Sequence, residues 1–146
     1  MTVVHAVLGI GATTLFVAAG LLGAWRWWRG GPSPGFWRLL RAAQATLVVD
    51  VALGGALLLA GRRPSDNLHY VYGLLPLAVG FVAEQLRLAA ADTVLAARDL
   101  ESAQAVGGLP EQEQHRVVTA ILRRELGVVA LGALVAAGLS VRAALT

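Results

Sequence analysis

His5 and His69 are the residues of this chain whose type and placement suit cofactor chemistry. Two imidazoles facing each other at one level between helices can supply both axial ligands of a haem iron. Each is followed four residues on by a glycine, His5 by Gly9 and His69 by Gly73. On a helix that spacing puts the glycine on the histidine's own face, one turn away. At similar depth the second apolar segment offers Gly54 and Gly55, and the fourth offers Gly138. Side-chain volume is thus low at one level on all four segments, as a flat macrocycle between helices requires. Arg62, Arg63 and Arg142 fall on the same side and can pair with carboxylates such as haem propionates. A second reading stays open, in which both histidines are residues of the membrane interface and the glycines serve only packing.

Asp50 is the deepest charge, with Thr13 and Thr14 expected at its level. A carboxylate there serves either as a proton- or ion-coupling group or as a hydrogen-bonded pin of helix register. Gln44, Glu84 and Gln85 share a second level with Arg41, Arg87, Arg123, Arg124 and Glu125. That pattern predicts an inter-helix ion-pair layer; a polar vestibule for a proton or a quinone head group is the alternative. His115 lies among glutamates and reads as a surface residue. Pro76 is expected to kink the third segment.

The elements that position these residues are four apolar stretches, at about residues 3–25, 39–60, 68–91 and 126–144. About 20 mostly apolar residues suffice for a helix to cross the hydrocarbon core. Of the 146 residues 57% are hydrophobic and only 14% charged, well below the roughly 25% charged residues of a soluble domain. The expected fold is therefore an all-α integral membrane protein: one domain, 1–146, forming an antiparallel four-transmembrane-helix bundle. Short turns at 26–38 and 61–67 enforce the alternation. The third helix is expected to continue, amphipathic, to about Ala105 and to end at Gly107 and Gly108. Pro110 then opens a helix that runs into the fourth span. This makes a cytoplasmic helical hairpin, an extension of helices 3 and 4, over about 92–125. Ala52, Ala56 and Ala60, and likewise Ala133 and Ala137, recur every four residues and suit close helix contacts.

All twelve basic side chains are arginine. Nine flank the first and third connections, and three (Arg62, Arg63, Arg142) lie on the other side. The positive-inside rule then predicts a plasma-membrane protein, of prokaryotic type, with both termini outside. Trp25, Trp27, Trp28, Phe36 and Trp37 form the inner aromatic belt. The arginines are not gathered with stacking aromatics into one surface, so nucleic-acid binding is not expected. The absence of cysteine excludes disulfides and thiolate sites. Phosphate-binding glycine loops, metalloprotease histidine pairs and nucleophile elbows are missing.

In its four spans, its His5/His69 pair and the adjacent glycines, the chain resembles small four-helix b-type membrane cytochromes. The resemblance implies one haem b between the first and third helices near the outer face, with electrons passed to or from a quinone or a protein partner. A second histidine pair, present in two-haem members, is missing. Two other classes remain open on the residues alone. One is an accessory membrane subunit, alone or in a larger complex, docking a partner through the cytoplasmic hairpin. The other is an oligomeric proton- or ion-coupled transporter using Asp50 or Glu84.

Overall fold

The computed structural model describes residues 2–146, and among them every regular element is helical. The order is α1 (Thr2–Arg29), α2 (Pro34–Leu59), α3 (Leu68–Leu88), α4 (Ala90–Ala96), α5 (Ala103–Val106) and α6 (Glu111–Ala144). Four helices are long and apolar enough to cross a membrane: α1, α2, α3 with α4, and α6.

Local chemistry sets the ends. Gly30 (φ 72°) follows α1, and its N–H closes on the Arg26 carbonyl at 2.8 Å. Ser33 then caps α2, accepting from the Phe36 N–H at 3.4 Å, with Pro34 in the first turn. A proline there forfeits no intrahelical hydrogen bond. α2 stops in a Schellman motif: Gly61 (φ 80°) donates to Leu58, and Arg62 to Leu57, before Pro64 is reached. Asp66 caps α3 through the Leu68 N–H at 2.9 Å.

Packing follows a repeating seam. Buried residues on α2 fall at Phe36, Leu40, Ala43, Leu47, Asp50 and Leu57, a three–four alternation that keeps one stripe inward. On α1 the buried residues are Ala12, Phe16, Ala19, Gly20 and Gly23. α6 is central, packing along both α1 and α3, whereas α2 and α3 meet only lightly. Beyond Val129 its buried residues are all alanine: Ala130, Ala133, Ala136, Ala137 and Ala143. Small residues let the backbones close in. A Cβ on Gly23 would lie 2.7 Å from both Ala130 and Phe36, and one on Gly132 would lie 2.7 Å from Ala83. Ala133 and Ala137 thus serve close contact as expected. Ala52, Ala56 and Ala60 do not; they are exposed. Asp50 faces inward, and two residues on is about 200° around the helix, so Ala52 faces away.

The extension differs from the expected continuous helix to Ala105. α3 breaks at Ala89, and α4 ends within seven residues. A second Schellman motif does this. Asp99 takes φ 55°, its N–H donating to Ala96 and that of Leu100 to Leu95. Aspartate tolerates that left-handed conformation better than most residues. Leu100 is thereby folded back onto a small separate core of Val94, Leu95 and Val117. Beyond it α6 runs unbroken for 34 residues.

Candidate functional site: a histidine–aspartate cluster at one end of the helices

α1 and α2 build the first half of the site with one pattern used twice. His5 precedes Gly9 by four residues, and Asp50 precedes Gly54 by four. Each polar side chain lies over the other helix's glycine. The His5 ring is 3.2 Å from where a Cβ on Gly54 would stand, and Asp50 Oδ2 is 3.3 Å from one on Gly9. The two side chains then meet, His5 Nδ1 to Asp50 Oδ1, at 2.8 Å. Asp50 is buried, 8% exposed. A buried carboxylate needs such a partner, because an unpaired charge there is costly.

α3 and α6 supply the second half. His69 Nδ1 lies 3.0 Å from the carbonyl oxygen of Ala143, in the last turn of α6; that oxygen also accepts from the Thr146 hydroxyl at 3.0 Å. A carbonyl can only accept. Nδ1 of His69 therefore carries a proton, and Nε2 makes no hydrogen bond. An ionised Asp50 imposes the same tautomer on His5. The two rings stand 6.0 Å apart, centroid to centroid, with planes at 73°.

Gly73 completes the level. Nothing lies within 4 Å of a Cβ built on it, in contrast to Gly9 and Gly54. The α3–α6 register, His69 on Ala143 and Ala83 on Gly132, sets Ser140 level with Gly73. The Ser140 hydroxyl is buried without a hydrogen-bond partner. Gly55 and Gly138 are exposed and line no interior slot. Arg62 and Arg63 are exposed in the turn beside this end, and Arg142 lies 5.7 Å from the Tyr72 ring.

Gln44, Glu84 and Gln85 lie toward the opposite end of the helices. Glu84 bridges Arg41 and Arg87, each at 2.7 Å. Arg41 also donates to Gln44 at 2.6 Å, and Arg87 reaches Glu125 at 3.8 Å. Trp37 stacks under both guanidinium groups, at 6.0 and 5.6 Å. This ion-pair layer links α2, α3 and α6 as expected through Arg41, Glu84, Arg87 and Glu125; Arg123 and Arg124, expected at the same level, make no ion pair in it, and Gln85 is exposed outside it. His115 is exposed on α6. α3 runs through the buried Pro76.

Asp50 is not level with Thr13 and Thr14. Those hydroxyls donate to Gly9 and Ile10 of their own helix, and Asp50 belongs to the histidine cluster. The seam shows why: His5, Gly9, Ala12, Phe16, Ala19 and Gly23 continue one three–four stripe, as do Asp50, Gly54 and Leu57. Ser140 and the Ala143 carbonyl carried no sequence signal. No family model matches the chain, and no curated protein or solved structure is significantly similar to it.

Proposed function

We propose that this chain is a multi-pass protein of a prokaryotic plasma membrane, an antiparallel bundle with both termini outside, working as a small b-type cytochrome. Membrane insertion is supported by the outward faces, which carry Ile10, Leu21, Val49, Phe81, Val82 and Leu131, all more than half exposed. A helix that is apolar all round needs lipid or protein on every side. The arginine-rich end, with its tryptophans, supports the orientation.

The observation that carries the haem reading is the histidine pair, with each Nδ1 held by an oxygen and each Nε2 left free. Metal-bound histidines are held in the same manner by their second nitrogen. The two rings stand 6.0 Å apart, a separation at which one metal ion could lie between them. The open space at Gly73 fits a group occupying this level. His5 and His69 would hold the iron, and Arg62 and Arg63 stand near enough to this end to pair with propionates. Bound there, haem supplies a one-electron couple, exchanged with a quinone or a protein partner. The chain's own work is to fix both tautomers through Asp50 and Ala143. Gly9 and Gly54 serve that purpose, by making room for the His5–Asp50 pair, and Gly73 leaves the free volume.

The test is the absorption spectrum of protein expressed with haem supplied. A Soret band is expected in the wild type and in His115→Ala, and none in His5→Ala or His69→Ala. A colourless wild type sinks the proposal. A second reading, an accessory subunit, draws on the separate core of the extension. It predicts a stoichiometric partner that is lost when Val117→Asp breaks that core.

A further inference from the structure

We propose that the turn joining α1 and α2 binds the phosphate headgroup of an anionic phospholipid. The inference rests on the membrane-spanning reading, whose own failure would appear separately, as protein recovered in the soluble fraction.

The argument starts from charge. Arg26 and Arg29 lie in the last turn of α1, and Arg38 near the start of α2. The carboxylates of this end, Glu84 and Glu125, are taken by Arg41 and Arg87. Among the described residues no carboxylate comes within ion-pair distance of Arg26, Arg29 or Arg38. Three cations therefore surround one four-residue turn with nothing to balance them.

Geometry adds a second observation. The Trp25 ring carries two guanidinium groups, Arg26 at 4.8 Å and Arg29 at 5.7 Å. Stacking covers the guanidinium face and leaves the N–H edge free, the edge that forks a phosphate. α2 begins at the same turn, and the positive end of a helix dipole favours an anion there. The flanking Trp25, Trp28 and Trp37 suit headgroup depth. That depth selects a lipid phosphate over free phosphate.

The full-length protein in mixed micelles, weighed by native mass spectrometry, tests this. Phosphatidylglycerol is expected to be retained in preference to phosphatidylcholine. Retention should fall about fivefold for each arginine replaced, in Arg29→Gln and then in the Arg26→Gln, Arg29→Gln, Arg38→Gln triple. Arg116→Gln, exposed in the extension, should leave it unchanged. Melting in phosphatidylcholine micelles checks that the triple folds; if it does not, Arg29→Gln alone decides. Equal retention of both lipids by the wild type, or no loss in the folded variants, overturns the proposal. So does inorganic phosphate that displaces phosphatidylglycerol at matched concentration, which would assign the site to the free ion.

Discussion

His5 and Asp50, 45 residues apart in the chain, are joined Nδ1 to Oδ1 at 2.8 Å, and each rests on a glycine of the other's helix. The contact ties helix register to imidazole orientation. Asp50→Ala leaves Nδ1 without its acceptor and a gap above Gly9. A loss of about 1–3 kcal/mol in stability is expected, read by denaturant melts in detergent. Asp50→Asn keeps the shape but removes the charge. If haem is bound, its midpoint potential should rise in Asp50→Asn with the Soret band retained, because an anionic partner raises the basicity of the ligand.

The glycines make a sharper comparison. Gly54→Ala places a methyl 3.2 Å from the His5 ring, and Gly23→Ala places one 2.7 Å from two neighbours. Overpacking of the second kind costs about 1–3 kcal/mol. Gly73→Ala meets nothing within 4 Å and should leave the melting point within error. Gly73→Leu should fold and yet lose whatever occupies that level. Side-by-side melting curves and spectra of the four variants check this.

At the opposite end, Glu84 holds Arg41 and Arg87 at 2.7 Å each. Glu84→Ala leaves two guanidinium groups facing each other near Trp37. Both arginines are partly solvent-exposed, which limits the loss to about 1–2 kcal/mol. Glu84→Gln should recover part of it. The measurement is thermal unfolding at low and high salt, with the wild-type advantage shrinking as salt rises.

The extension should behave as a separate unit. Leu95→Ala removes part of its small core and should expose residues 97–110 to limited proteolysis. The α1–α2–α6 core, which shares no buried residue with it, should keep its melting temperature.

Much of this was legible beforehand. Four apolar runs announced four long helices, and the arginine and glutamate spacing announced the layer around Glu84. The direct passage of α6 into the last apolar run was expected, with Pro110 opening the helix. The Asp50 partner was misjudged because rise was counted from the ends of apolar runs, as if all helices began in one plane. The three–four stripe through His5, Gly9 and Ala12 is the better ruler, and it was present in the residues. The break after Leu88 was hidden, since neither Ala89 nor its neighbours are helix breakers. Asp99 stops α4 by adopting a conformation that few side chains choose, and that is decided by Leu100 seeking the core. The Ala143 carbonyl could not be read at all, because any residue carries one.

α6 spans 34 residues without interruption, about 50 Å of rod. At one tip its Val117 seals the extension; at the other its Ala143 carbonyl sets the tautomer of His69. The two ends therefore share a single lever. A partner that turned the extension about the axis of α6 would have to move the same helix that presents this oxygen to His69.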